Sequence, residues 1–404
     1  METLDSAQGR RVLAVPDFRR LLLVGLVLSV ARWLEMLVIG VIVFEVTGSA
    51  FLVAAMTLLR MLPMGVFGAF LGVLADRVPR RGALRAVLAL QGAAVGALAV
   101  SGMFGTPAVW QIALASLIGG FGWATDNPVR RMLIGEAVGA ARMGQAMSFD
   151  VLANNASRVA GPALGGTLLA FYGPGAAFGL SFALYLVAIV AAAGLGVGTV
   201  AERARGHGVV HEMRESFRFA LRHPRLRAVL LITVVFNLSA WPCGSMIPVI
   251  GQDRLGLGPE GVGVLASMDG VGALAGAMLL GVLAAQRRHA AIYLGGTILY
   301  LGMMCAFALS PTPVLAGALL VGVGIGGAGF ATMQATLIYL SAPPEQRSRA
   351  LGVLSTAIGT GLLGFLQVGV LAELFGASTA TFLVCAQGLI LLGATVRLWK
   401  PLFG

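Results

Sequence analysis

The sequence predicts an all-α integral membrane protein: twelve transmembrane helices in two homologous six-helix bundles. Three observations carry this expectation. Of 404 residues, 58% are apolar and only 11% charged, against roughly 45–50% and 25% in soluble domains. Apolar runs recur along the whole chain, each close to the ~20 residues a helix needs to cross the hydrocarbon layer. The chain also repeats itself. Residues 118–125 read I-G-G-F-G-W-A-T and residues 325–332 read I-G-G-A-G-F-A-T, while G-V-L-A stands at both 72–75 and 281–284. The members of both pairs are separated by nearly the same interval, about half the chain, which is the parallel-repeat construction of one large transporter class.

The elements follow in order. The N-terminus is polar to about Asp17 and then enters an apolar stretch too long for a cleavable signal, so it reads as an uncleaved first span. Spans fall at about 21–46, 51–75, 84–103, 109–127, 148–171, 175–198, 228–250, 260–285, 289–310, 314–338, 350–373 and 378–397. With residue 1 inside, 24 of the 28 Lys and Arg residues lie in inside segments, and Arg254 alone lies outside. The positive-inside rule then puts both termini in the cytoplasm. The net charge of +11 is read as orientation, not as nucleic-acid binding. Residues 1–198 form the N-terminal bundle, 199–227 a cytoplasmic linker and 228–404 the C-terminal bundle. In the linker, Val210, Met213, Phe217 and Leu221 recur at helical spacing between charged residues, which predicts an amphipathic helix on the inner leaflet that ties the halves together. This arithmetic leaves no room for a sizeable soluble domain.

The first cytoplasmic hairpin reads G-V-L-A-D-R-V-P-R-R-G-A-L-R over residues 72–85. It resembles the signature of the major facilitator superfamily between the second and third helices, with Gly72, Asp76, Arg77, Arg80 and Arg81 on the pattern and Pro79 in place of the usual glycine. Physically, Asp76 at a cytoplasmic helix end suits the exposed amides of another helix N-terminus, and Arg77 suits Asp126 at the inner end of the fourth span. The resemblance implies the same device: a conformational latch of Gly72, Asp76, Arg77, Arg81 and Asp126 that breaks during transport. Residues 285–288 read A-Q-R-R, so the second half lacks the carboxylate and the latch is one-sided. In the fifth span G-P-A-L-G-G at 161–166 resembles the antiporter motif of facilitator exporters. Gly161 and Pro162 there suit close packing and a helix bend, with or without directional meaning. P-D-F-R-R at 16–20, T-G-S at 47–49 and A-D-R-x-x-R-R at 75–81 resemble the bacterial branch of siderophore and macrolide exporters. The fourth span carries no arginine over 114–122, unlike many drug/proton antiporters.

Ionisable residues inside a bilayer cost about 2.5–3.5 kcal/mol each on the insertion scale and are functional candidates by default. Six qualify: Arg32, Glu35, Arg60, Asp150, Arg158 and Asp269. Glu35 and Arg60 stand almost equally far along the chain on either side of Gly48, so both reach one depth and a contact between them is expected. Arg32, one turn from Glu35, is a second cation for the same carboxylate. A structural cluster and a substrate- or proton-coupled site fit equally well. Asp150, Asn154 and Arg158 form a polar stripe on the fifth span, expected to face a water-filled cavity or the other half. Asp150 is read as a carboxylate at a helix N-terminus, and Arg158 as the candidate for an anionic group. Asp269 follows Arg60 at the repeat interval, as its counterpart in the second half. It is the foremost candidate for reversible protonation, with a salt bridge across the halves as the competing reading. Asn237 and Trp241 in the seventh span and Trp33 in the first are cavity candidates, because the resembled family lines its cavity with those spans; packing alone also explains them.

Cys243, Cys305 and Cys385 lie in apolar stretches and read as small buried side chains, not a disulfide or metal set. The four histidines fall in cytoplasmic loops without metal spacing. With no nucleophile set, phosphate loop, metal or cofactor, the chain reads as a transporter and not an enzyme. The expected function is a proton-coupled secondary exporter of small amphipathic molecules, working by alternating access. It is expected to be a monomer in the bacterial inner membrane, with the substrate, a coupling ion and the lipid bilayer as partners. Uptake by symport, lipid translocation and a non-transporting sensor are the alternatives.

Overall fold

The computed structural model describes residues 12–75, 79–198, 218–283, 288–343 and 346–403; of these, the side chains of 67–75, 282–283 and 348–349 are left undescribed. Among the described residues there is no strand. Nine helices among those residues are long and apolar enough to cross a membrane, and the twelve-span expectation is consistent with the helices seen. Their lipid-type surfaces are apolar and open: Phe104 is 89% exposed, Val314 85% and Met103 75%, exposures that a water-soluble chain avoids in such number.

The N-terminal half supplies α1 (Pro16–Thr47), α2 (Ala50–Ala75), α3 (Arg80–Phe104), α4 (Val109–Val138) and the long α5 (Met143–Ala193). Turns are set by glycines at positive φ: Gly48 at 64° joins α1 to α2, and Gly139 at 75° ends α4. Expected spans five and six form one helical run, interrupted at Gly173 (φ 76°) with Pro174 directly after it. A glycine that leaves the helix followed by a proline that restarts one is the favoured order for such a break. The fourth span runs to Val138, well past the predicted end near 127. The helix absorbs Pro128, so residues beyond the predicted end of the span are helical.

The C-terminal half contains α6 (Pro224–Ser239), a tight turn (Trp241–Met246), α7 (Ile247–Asp253), α8 (Pro259–Leu283), α9 (His289–Leu309), α10 (Pro313–Ser341), α11 (Arg347–Gly359), α12 (Gly361–Phe375) and α13 (Ala377–Ala394). The predicted seventh span is thus interrupted at Trp241-Pro242, and the eleventh at Thr360. The helices beginning at Pro224, Pro259 and His289 answer those beginning at Pro16, Ala50 and Arg80. Helix starts therefore repeat at the interval of the sequence motifs. The linker helix expected at 199–227 lies outside the described residues as far as 217; residues 218–222 are helical.

Two compact units result, Met1–Ile42 with Leu59–Arg203, and Val43–Leu58 with Ala204–Gly404. The tip of the first hairpin belongs to the second unit. There the Glu373 carboxylate of α12 accepts from Ser49 Oγ (2.8 Å) and from the Phe51 amide (3.2 Å), so a remote side chain caps the start of α2. Gln252 Nε2 donates to Glu45 at 3.1 Å. A Cβ at Gly369 would stand 2.9 Å from Ala54 Cβ, so the two backbones meet closely.

Candidate functional site

In the first unit, α1 presents Arg32, Trp33 and Glu35 within one turn. Arg60 of α2 reaches Glu35 in a buried ion pair, and its second terminal nitrogen donates to the Arg32 carbonyl at 3.2 Å. Ser181 Oγ donates to the other Glu35 oxygen at 2.5 Å. Glu35 is 2% exposed and Arg60 4%. The contact predicted from their equal distance to the Gly48 turn is present.

Arg32 does not share Glu35. Its guanidinium turns to Asp126 at 3.1 Å and lies 4.6 Å from the centre of the Trp123 ring, an arrangement that adds a cation–π attraction to the charge pairing. Asp126 is buried and engaged there; its expected partner Arg77 lies outside the described residues. Asp150 pairs with Arg130, a buried residue of α4 in a stretch that composition assigns to a loop. The more exposed Arg131 stands 3.9 Å from its other oxygen. Asp150 lies two turns inside α5, so it is an ion-pair partner and not an N-terminal carboxylate. Three carboxylates are thus each matched to a guanidinium in low-dielectric surroundings, where losing one partner leaves the other unpaired and costs about 3–5 kcal/mol. Asn154 and Arg158 are half-buried, and the Arg158 guanidinium lies 5.0 Å from the Trp33 ring centre.

Small residues make this cluster possible. A Cβ on Gly119 would fall 2.7 Å from Arg60 Nη2, and one on Gly120 2.9 Å from Pro63 Cδ. The repeated I-G-G-F-G-W-A-T segment is therefore the face of α4 that admits Arg60 and its backbone. Gly161 and Gly165 let α5 approach α1: an added Cβ at Gly161 would lie 2.7 Å from Trp33 Cβ, and one at Gly165 3.1 Å from Val38 Cγ2. The backbone remains helical at Gly161 and Pro162, and the break comes at Gly173, so the G-P-A-L-G-G segment acts here as a packing surface within its own unit.

Of the latch residues, Gly72 lies in α2, while Asp76 and Arg77 lie outside the described residues. Arg81 Nη2 donates to the Ala193 carbonyl at 3.1 Å, and Arg85 donates to Ala192 and Ala193 at 3.2 and 2.7 Å. These arginines satisfy the open carbonyls and the negative pole at the end of α5. Arg80 pairs with Glu136.

In the second unit, Asn237 donates to the Thr233 carbonyl at 2.9 Å. The Thr233 hydroxyl lies 2.8 Å from Tyr293 Oη and accepts from Gln334 Nε2 at 3.1 Å. Phe330 stacks on Phe236 with ring centres 3.6 Å apart. This is a neutral hydrogen-bonded counterpart to the charged cluster of the first unit. Trp241 opens the turn that interrupts the seventh span and is half-buried, as is Asp269 on α8. The Asp269 carbonyl abuts Gly324 of α10, as the Arg60 carbonyl abuts Gly120 of α4, so the repeat-related pair occupies similar packing positions.

Sequence reasoning misses Ser181, Arg130, Thr233, Tyr293 and Gln334. Ser181 and Gln334 carry no signal beyond being polar in an apolar run, and Arg130 is recognisable only as the i+4 neighbour of Asp126.

Comparison with known proteins gives a consistent likeness. The profile of a family described as transmembrane secretion effectors matches residues 12–402. The multidrug efflux pump Tap of Mycobacterium tuberculosis is 31% identical over 369 residues, covering 86% of this chain and 84% of that protein. An uncharacterised MFS-type transporter of Bacillus subtilis, YfiS, is 26% identical over 395 residues, 93% of this chain and 91% of its own. Among solved structures, the nucleoside transporter NupG superposes with a TM-score of 0.71 at 13% identity, covering 95% of this chain and 99% of that one, a likeness of fold.

Proposed function

The chain belongs to the transmembrane secretion effector family of the major facilitator superfamily, a membership that makes it a multi-pass membrane transporter, and from that premise we propose a proton-coupled exporter of small amphipathic molecules. The efflux pump named among its relatives supports the outward direction. The observation that carries proton coupling is the environment of Glu35, held between one guanidinium and one hydroxyl. A serine hydroxyl donates to a carboxylate and accepts from a carboxylic acid by rotating its proton. Glu35 therefore keeps a hydrogen-bond partner in either protonation state. Protonation would loosen Arg60, and a released buried cation is a driving force for rearrangement. Asp269, at the matching place in the second unit, is proposed as a second protonation site.

The expected setting is the inner membrane of a bacterium, both termini inside, with the chain acting as a monomer by alternating access. The test uses purified protein in liposomes carrying an imposed pH gradient, with extrusion of a fluorescent hydrophobic amine as readout. In Glu35→Gln protein, whose folding is checked by its thermal transition in detergent, flux is expected to lose its dependence on the gradient. Flux with an unchanged pH profile in that variant removes Glu35 from the coupling step.

A further inference from the structure

All three cysteines of the chain lie in the second unit on different segments, and they converge. Cys243 is in the turn 241–246, Cys305 on α9 and Cys385 on α13. The Cys243 and Cys385 thiols both donate to the Ser239 carbonyl, at 3.4 and 3.5 Å. Cys243 also approaches the Thr381 carbonyl at 3.9 Å, and Cys305 donates to the adjacent Phe382 carbonyl at 3.7 Å, so the three thiols gather around the same stretch of backbone. Cys243 and Cys385 are fully buried, and Cys305 is partly exposed.

A second observation stands beside the thiols. Each buried cysteine has a hydroxyl one turn earlier on its own helical segment, Ser239 before Cys243 and Thr381 before Cys385. Both hydroxyls are 0% exposed, and neither has a hydrogen-bond partner. Such orphaned groups carry the uncompensated penalty of leaving water. The neighbouring carbonyls of Ser239 and Thr381 already accept from thiols. Two unpartnered hydroxyls therefore stand one helical turn from the two buried cysteines, whose sulfurs become strong acceptors once they lose their protons.

We propose that Cys243 and Cys385 form a two-coordinate site for a soft, thiophilic divalent cation. Sulfur donors select soft metals over magnesium or calcium. On binding, two S–H bonds break, two sulfur–metal bonds form and two protons leave to water, with no electron transferred. A divalent ion with two thiolates is neutral, so no uncompensated charge is left in apolar surroundings. The Ser239 and Thr381 hydroxyls donate to the thiolates and complete their own hydrogen bonding. Among the described residues no group of three or more His, Cys, Asp or Glu is arranged to hold a metal. The site is accordingly a pair, with Cys305 as the accessible thiol that receives the ion and passes it to Cys385.

Mercuric chloride is the probe, added to the full chain in detergent, with X-ray absorption at the mercury edge and intact-mass measurement as readouts. One mercury per chain with two sulfur ligands is expected. Cys385→Ser and Cys243→Ser each lose the two-sulfur signal, whereas Cys305→Ala keeps it and loads at least several-fold more slowly. A single sulfur ligand in the unaltered chain overturns the proposal without recourse to any variant. So does a two-sulfur site that survives Cys243→Ser or disappears in Cys305→Ala.

Discussion

At the scale of single residues, the first unit's cluster is a set of matched charges, and matching makes each member conditional on its partner. Arg130 and Asp150 show this most cleanly, both buried and joined directly. Removing either partner alone, as Arg130→Gln or Asp150→Asn, is expected to cost about 3–5 kcal/mol, and removing both should cost clearly less than the sum of the two. Thermal unfolding of the four proteins of this cycle in one detergent measures the coupling; additive losses would mean that the pair does not act as a unit. Part of the cluster is legible in the sequence. Glu35 and Arg60 flank a glycine turn at nearly equal distances, and helical rise alone brings them to one depth. Arg32 is legible as buried but not in its choice of partner, because Asp126 lies 94 positions away and no local spacing reports that contact. Ser181, 146 positions from Glu35, is hidden for the same reason.

At the scale of elements, the sequence shows where helices are better than where they stop. The fourth span is expected to end near 127 and α4 carries on through Pro128, while Gly173 and Trp241-Pro242 interrupt runs whose apolar pattern continues. Apolar periodicity reflects the solvent around a helix, and continuity also depends on neighbours that satisfy the freed backbone groups. The start of α2 is the clearest case of such dependence, since its cap comes from Glu373, 322 positions from Phe51. Glu373→Ala is expected to remove about 1 kcal/mol of local stability. Hydrogen exchange at the Phe51 amide should quicken by roughly fivefold, following the conversion of about 1.4 kcal/mol per decade. Unchanged exchange there would mean that Ser49 caps the helix unaided.

For the molecule as a whole, the distribution of basic residues is expected to orient the chain, and the sequence repeat to divide it. Both are readable because they are sums over many positions, and errors at single boundaries average out. The interval between helix starts matches the interval between motifs, and the family match spans nearly the full length. Tags fused to either terminus are expected to be cleaved by protease in inverted vesicles and protected in intact spheroplasts, following the inward bias of arginine. Cleavage from the outer face at either end would reverse the assigned orientation.

The pairing of charges in the first unit also bears on how the electric field across the membrane acts. Glu35 with Arg60, Asp126 with Arg32 and Asp150 with Arg130 sum to zero charge, so a voltage does no net work on those six groups when they shift together. Binding one proton gives the set a charge of plus one, and crossing the full potential then carries about 2.3 kcal/mol per 100 mV. Were the proposed proton bound there, the loaded and unloaded forms would respond differently to voltage, and a membrane potential would favour one of the two directions of turnover.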